Sequence, residues 1–346
     1  MNVIADIQRN HLPAADSIWL AKSKETAIEP ELPIIDPHHH LWRAPRAQYL
    51  LDEFWTDINT GHNVIATICV ECSENYRTSG PKAFRPVGET EFAAAIGDKA
   101  DQLFPKSRLN AGIISRVDLA DGDDARALLE AHIAAGRGRF KGVRFSTHRN
   151  PRPEKCTTAR TPPPGLLLGA PVGRGVRHVA ELGLVLDLWL YHHQLSDAAK
   201  FAGENPDVSL VLDHLGDPPG FGPYAGQREE GFAAWRKGLL EVARHRNVVV
   251  KLGGLGMKTL GFDFREWSAP PSGEELAVTW RPYIETAIEA FGPERAMFES
   301  NFPVDQMSSP YVVLWNAFKH LTRNYSADER TALFSGTAAR VYAIDL

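Results

Sequence analysis

Residues 34–42 read Ile-Ile-Asp-Pro-His-His-His-Leu-Trp, an apolar strand that runs straight into three consecutive histidines. Alternate residues of a strand face the same way, so Asp36, His38 and His40 are predicted on one face and Pro37 and His39 on the other. Two imidazoles on one face at a strand end can share a metal ion or hold a substrate oxyanion between them. A histidine-rich strand end at the surface would read the same way, and what favours chemistry is the rest of the chain. Another apolar run leads into Tyr191-His192-His193-Gln194, and Val-Leu-Asp-His-Leu-Gly places His214 at the end of a third. A further run ends Met-Phe-Glu-Ser-Asn-Phe-Pro-Val-Asp and brings Glu299, Asn301 and Asp305. Any one of these histidines could be a core imidazole bonded to a backbone carbonyl. Four separate strand ends carrying histidine or acid point instead to one site assembled from distant segments.

The elements that must position them are legible. Runs rich in Val, Ile, Leu and Phe occupy residues 33–40, 64–72, 109–119, 140–147, 184–190, 208–216, 248–255 and 296–303. Stretches of helical period lie between them, for example 125–135, 176–182, 195–203, 232–245 and 283–291. Runs that are apolar throughout, such as Val248-Val249-Val250, are expected of strands buried on both faces, hence of a parallel sheet covered by helices. Eight strand-helix units without a break in composition predict an α/β fold: one distorted (β/α)8 TIM barrel over residues 33–346, with residues 1–32 as an N-terminal arm. Such barrels carry their active sites at the C-terminal ends of the strands, where these histidines and acids fall. The Pro/Gly-rich stretches 150–175 and 216–226 are too long for minimal turns and are expected at the catalytic mouth.

Composition removes other classes. The chain has 346 residues, 43% hydrophobic and 23% charged, as in ordinary globular proteins. A formal net charge of -5 and the lack of a Lys/Arg run exclude a phosphate-binding field, so no nucleic-acid partner is expected. The N-terminus has no signal-peptide core and no segment reaches the roughly 18 apolar residues of a membrane span, which leaves no membrane partner and a cytoplasmic location by default. Cys69, Cys72 and Cys156 are expected as free thiols, since Cys69-x-x-Cys72 lies in an apolar run with no second pair.

Asp-x-His-x-His in the first run, histidines closing the fifth and sixth, and Ser-Asn-Phe-Pro in the eighth resemble the amidohydrolase superfamily. The likeness is to its amidohydrolase-related branch, which includes sugar-lactone and pyrone-dicarboxylate lactonases. It extends from about residue 33 to 340 and takes in Pro-Val-Gly-Glu-Thr-Glu-Phe at 86–92, Lys-Gly-Val-Arg at 141–144, Leu-Asp-His-Leu-Gly at 212–216, Val-Lys-Leu-Gly-Gly at 250–254 and Phe-Gly-Pro-Glu-Arg at 291–295. The resemblance implies that His38 and His40 form the first-strand pair, that His214 is the sixth-strand histidine, and that His192 is the fifth-strand one with His193 as its rival. A shift of one residue turns either side chain inward. In metal-dependent relatives these positions hold zinc, which polarises the carbonyl and activates water; lactonases of the branch are thought to use the same histidines without a metal. The fourth run reads Val-Arg-Phe-Ser-Thr and offers no lysine to bridge two ions, so the expectation is no metal or one divalent ion, zinc being the first choice.

The eighth run departs from the family. Hydrolytic relatives usually carry Gly-Ser-Asp where this chain has Glu299-Ser300-Asn301, and an amide cannot take a proton from water. Glu299 lies two residues earlier on the same face and is expected to supply the carboxylate, as general base or as the group that orients a histidine. The structural alternative is a pairing with Arg144 or Lys251 that only buttresses the barrel, and Asp305 is a weaker substitute. Arg144 is a candidate for a bidentate grip on a substrate carboxylate. Lys251, and Glu71 with Arg77 at the end of the second run, are further substrate-binding candidates. Trp189 and Tyr191 are read as packing, and Asp213, alternating away from His214, as a helix cap. The expected activity is hydrolysis of a lactone, ester or related carbonyl compound of a small organic acid, the substrate carrying a carboxylate. A metal-dependent decarboxylase of an aromatic or unsaturated acid and a catalytically silent metabolite-binding barrel are the alternatives. An arm laid on a barrel is also compatible with a homo-oligomer.

Overall fold

In the computed structural model the described residues are 15–44, 47–149, 162–218, 220 and 224–345. Cys156, residues 1–14 of the expected arm and parts of the stretches 150–175 and 216–226 lie outside them. Eight parallel strands form one sheet in chain order: β1 (Pro33–His39), β2 (Asn63–Val70), β3 (Arg108–Arg116), β4 (Phe140–Ser146), β5 (Val185–Trp189), β6 (Ser209–Leu212), β7 (Val248–Leu252) and β8 (Ala296–Phe298). Each is followed by a helix, respectively α1 (Leu51–Ile58), α2 (Val87–Leu103), α3 (Ala125–Ala135), α4 (Ala170–Glu181), α5 (Leu195–Glu204), α6 (Arg228–Ala243), α7 (Gly273–Phe291) and α8 (Tyr311–Leu321). This is the (β/α)8 barrel that the alternation of runs predicts. No helix among the described residues is long and apolar enough to cross a membrane.

The strands read as unbroken apolar runs because both faces are covered. Leu210 and Leu212 of β6 pack against the helices, while Val211 points into the barrel with Ile35, Ala66, Ile68, Ile114, Val185, Val249 and Met297. Tyr342 and Ile344 of the C-terminal tail join this interior cluster, and Lys141 Nζ pins the tail by donating to Ala343 O at 3.0 Å. Each fully buried aliphatic side chain contributes about 1.5–3 kcal/mol, which makes the barrel interior a solid base for the polar residues above it.

β1 and β8 meet beyond the three residues of β8, where Asn301 N donates to His38 O at 2.9 Å and His40 N to Phe302 O at 2.8 Å. Asp36 braces this seam by accepting from Ser300 N and from the Tyr311 hydroxyl of α8, both at 3.0 Å. The expectation that Asp36 shares a face with His38 and His40 fails. A bulge in the β1–β2 register between Asp36 and His39 adds a residue, so Asp36 turns to Tyr311 while His38 turns into the barrel. His39 does point the other way, its ring stacked on Phe54 of α1 at 4.0 Å.

β6, β7 and β8 are shorter than their apolar runs, because the chain leaves the extended conformation after Leu212, Leu252 and Phe298. The polar residues of the site sit at these departures. Replacing Asp36 by Ala would leave the Ser300 amide and the Tyr311 hydroxyl unmet in a buried seam, at about 1–3 kcal/mol for each orphaned donor. Urea denaturation should therefore show a lower midpoint for Asp36→Ala with an unchanged folded-state spectrum; an unshifted midpoint would show that the seam does not depend on this carboxylate.

Candidate active site

Interior parity continues up the strands and delivers charged side chains into the barrel. Val185 is followed two residues later by Asp187, Val211 by Asp213, Val249 by Lys251 and Met297 by Glu299, each on the inward face. All four are fully buried. After Asp213 the backbone turns left-handed at His214 (φ 52°) and Leu215 (φ 58°), which brings His214 inward as well, beside its neighbour. A non-glycine residue held in that region costs about 1–3 kcal/mol, and such positions cluster at functional sites. Gly253 and Gly254 at the end of β7 leave the necessary room. A Cβ on Gly253 would lie 2.4 Å from Glu299 Cγ, and one on Gly254 would lie 2.6 Å from His214 Cγ.

Glu299 bridges two imidazoles, with His214 Nδ1 2.7 Å from Oε1 and His38 Nδ1 2.9 Å from Oε2. Lys251 Nζ lies 2.6 Å from Asp187 Oδ2, 3.1 Å from Asp213 Oδ1 and 3.2 Å from His38 Nδ1. Arg144 donates through Nε to Glu71 Oε1 at 3.0 Å and through Nη2 to Glu71 O at 2.6 Å, which leaves Nη1 3.4 Å from His38 Nε2. His38 Nε2 and His40 Nε2 are 3.3 Å apart, and His40 Nδ1 donates to Val70 O at 2.8 Å.

Three imidazoles of one buried cluster are held in different states. Burial, with Arg144 nearby, pushes His40 down to about 3, so it is neutral, and the Val70 carbonyl fixes its single proton on Nδ1. Burial and the Lys251 ammonium hold His38 well below the ordinary range. Burial would also depress His214, but Glu299, Asp213 and Asp217 outweigh it and raise this histidine above its ordinary value. Burial would raise Glu299, yet His214 and His38 hold its carboxyl down to about 2. The cluster thus combines a His214 biased towards its protonated form, a carboxylate at Glu299 and two neutral imidazoles at His38 and His40.

A family model described as amidohydrolase matches residues 35–344. The chain belongs to the amidohydrolase family. An uncharacterised protein of Sinorhizobium fredii is 30% identical over 344 residues, spanning 91% of this chain and 99% of its own. The L-fucono-1,5-lactonase of Burkholderia multivorans is 32% identical over 316 residues, covering 90% of this chain and 96% of that protein. A crystal structure of an amidohydrolase from the same organism with bound zinc aligns at TM-score 0.67 and 25% identity, over 90% of this chain and 99% of the other.

The donors of this amidohydrolase fit one divalent ion. Zinc-nitrogen bonds of about 2.0–2.1 Å at tetrahedral angles set two ligating nitrogens about 3.3 Å apart, and His38 Nε2 and His40 Nε2 have that spacing, at 3.3 Å. His40 Nε2 carries a lone pair because its proton is on Nδ1. Neutral His38 has one proton for two positions. On Nε2 it bonds to His40 while Nδ1 accepts from Lys251; on Nδ1 it goes to Glu299 and both Nε2 lone pairs face the same space. His38, Asp213 and His214 also offer ligand atoms within 4.8 Å of one another.

The other sequence candidates are placed differently. Asn301, left-handed at φ 53°, donates its amide to Asp305 Oδ1 at 2.8 Å, and Asp305 also accepts from Gly256 N at 2.8 Å. Burial raises Asp305 to about 7, against those bonds and His214. His192 opens a one-turn 3-10 helix, His192–Gln194, and its described ring contacts are Tyr224 at 4.8 Å and His193 at 5.9 Å, not His38, His40 or His214. His193 Nδ1 pairs with the Tyr224 hydroxyl at 3.0 Å. Arg77 pairs with Glu91 at the surface. Two residues read from the sequence as structural, Asp213 and Trp189, and one that it did not single out, Asp187, do join the site. Asp213 faces Lys251 rather than capping a helix, Asp187 lies beneath it, and the Trp189 ring lies 5.3 Å from the Arg144 guanidinium and 6.3 Å from the His214 ring. A charge inside an apolar run, as in Val-Leu-Asp-Leu-Trp, was the available signal for Asp187.

The imidazole resonances should separate these states, His214 titrating above 6.5 and His40 staying neutral down to about 3. Glu299→Gln should bring the His214 midpoint down, and an unmoved midpoint would remove the carboxylate as its cause. Because the Glu299 carboxyl is held at about 2 against an ordinary 4.5, its stabilisation is fully present above that ordinary value and should be lost as pH falls towards 2.

Proposed function

We propose that this amidohydrolase hydrolyses a lactone of a small sugar-type or carboxylated organic acid. The observation that carries the reading is the Glu299–His214 pair, 2.7 Å apart, set beside the His38/His40 Nε2 pair and Arg144 Nη1, which faces His38 Nε2 at 3.4 Å and Asp213 at 3.9 Å. Hydrolysis of a lactone needs the carbonyl oxygen polarised, a proton taken from water and a proton given to the ring oxygen as it leaves. Arg144 Nη1 polarises the oxygen from one side, whereas the His38 and His40 Nε2 lone pairs would serve it only through a cation that they hold. Glu299 acts as the orienter of His214 rather than as the base, since its carboxyl is held at about 2 and both oxygens face imidazoles. With Nδ1 tied to Glu299, His214 keeps Nε2 for chemistry: neutral, it accepts the proton of the attacking water, and protonated, it returns one to the departing alkoxide. A divalent ion held by His38 and His40 would polarise the same carbonyl and acidify a bound water, leaving His214 Nε2 for the proton. The similarity to the L-fucono-1,5-lactonase supports sugar-acid 1,5-lactones as the first substrates to test.

The test is acid release, followed by a pH indicator, over a panel of aldonic 1,5- and 1,4-lactones and simple esters. His214→Asn should lose about 100-fold or more in kcat, the scale of a general acid-base. In the wild type, kcat/KM should rise with pH through a limb above 6.5, and Glu299→Gln should move that limb to lower pH. Elemental analysis alongside reports whether one ion accompanies the activity. Carbon dioxide release from aromatic acids, with no lactone turned over, would replace this reading by the decarboxylase one.

A further inference from the structure

The stretch Pro-Val-Gly-Glu-Thr-Glu-Phe at 86–92 touches none of the reacting groups, yet three successive residues of it are each committed to a neighbour. A Cβ on Gly88 would lie 2.5 Å from Asn75 O and 2.7 Å from Arg77 N, so glycine is what lets α2 approach the loop after β2. Glu89 accepts three consecutive backbone N–H groups of that loop, Cys72 at 2.7 Å, Ser73 at 3.2 Å and Glu74 at 2.8 Å. Thr90 Oγ1 lies 2.5 Å from Ser115 Oγ of β3 and 2.7 Å from His132 Nδ1 of α3. The loop is strained, with Ser73 and Asn75 left-handed at φ 67° and 52°, and strain of this kind persists only where the surroundings over-determine it. The Glu89 carboxyl is that surrounding: it accepts from three amides of the loop, while burial and the neighbouring Glu71 carboxylate raise it to about 7.

This turn is the foundation of two site groups. Glu71 at its start holds Arg144 through both its carboxylate and its carbonyl. The segment that follows His40 is tied to the same turn, Leu41 O accepting from Cys72 Sγ at 3.4 Å and Arg43 N donating to Glu74 Oε2 at 3.1 Å. We propose that Glu89 is a positioning residue which, through the 71–74 turn, fixes the Arg144 guanidinium against His38. The kinetic part of this inference rests on the hydrolase reading; its spectroscopic part does not.

Glu89→Gln turns an amide NH2 towards backbone donors, and Arg144→Lys keeps the charge while removing the planar fork. The expected loss in kcat/KM for Glu89→Gln is about 10–100-fold, the scale of an outer partner of a site group, and the double variant should be no worse than Arg144→Lys alone. Losses that multiply in the double variant overturn the proposal. Thr90→Val, one residue on in the same turn, removes the bonds to Ser115 and His132 but none to the loop; it should lower the melting temperature and keep kcat/KM near wild type. A Thr90→Val loss equal to that of Glu89→Gln also overturns it, because both would then reflect general destabilisation. Without substrate, the Arg144 Nε–H resonance should be protected from exchange in the wild type and in Thr90→Val and unprotected in Glu89→Gln. That pattern in a protein that turns over no lactone supports the positioning role and counts only against the hydrolase reading; protection retained in Glu89→Gln overturns the role itself.

Discussion

An ionised carboxylate in the middle of a barrel carries a desolvation cost of several kcal/mol, and it persists only where opposing charge and hydrogen bonds meet it at contact distance. Glu299 is fully buried between His214 and His38, Asp187 and Asp213 share the Lys251 ammonium, and Glu71 is matched to Arg144. These pairings constrain the chemistry because they allocate the positive charge. Burial, with Lys251 beside His38 Nδ1, holds that imidazole well below the ordinary range, whereas the carboxylates around His214 raise its affinity for the proton. Removing one partner would change the protonation of the next, so the cluster acts as one electrostatic unit.

The backbone meets this demand by abandoning regular strand geometry where the charges are. The bulge after Asp36 rotates His38 inward, the left-handed pair His214 and Leu215 lets adjacent residues face one cavity, and left-handed Asn301 turns its amide away to Asp305. A regular strand could present only every second residue. Left-handed residues thus lie at the candidate site, and the apolar layer of Ile35, Val211, Val249 and Met297 beneath them supplies the rigidity that holds the strain in place.

This division also explains what the sequence could and could not tell. Eight apolar runs with helical stretches between them specify a barrel, because burial on both faces leaves a mark that no local detail erases. His38, His40, His214, Glu299, Arg144 and Lys251 were legible as charged or imidazole groups at or near the ends of such runs, and the structure brings them together. Parity arguments fail wherever the backbone is irregular: a bulge, which leaves no sequence signature, moves Asp36 to the other face, and Asp213 is in phase with Val211 although it alternates with His214. His192 was given to the cluster on the assumption that β5 runs straight into it, whereas the chain turns through a 3-10 helix and sets the ring against Tyr224.

The two fixed cations bear on how much metal such a site can hold. Arg144 Nη1 lies 3.4 Å from one nitrogen of His38 and Lys251 Nζ lies 3.2 Å from the other, so this imidazole is flanked by positive charge on both sides. Two unit charges about 4 Å apart repel by about 4 kcal/mol at an effective dielectric near 20, and a divalent ion doubles the figure. One ion on the Nε2 side of His38 and His40 is offset by Asp213, Glu299 and Glu71, but a second would have to displace Lys251 from its two carboxylates. A chain that lacks a lysine at the end of β4 to bridge two ions thus carries one on β7 that supplies a permanent cation in their place. An ion there would add to the positive field that Arg144 and Lys251 already maintain around His38.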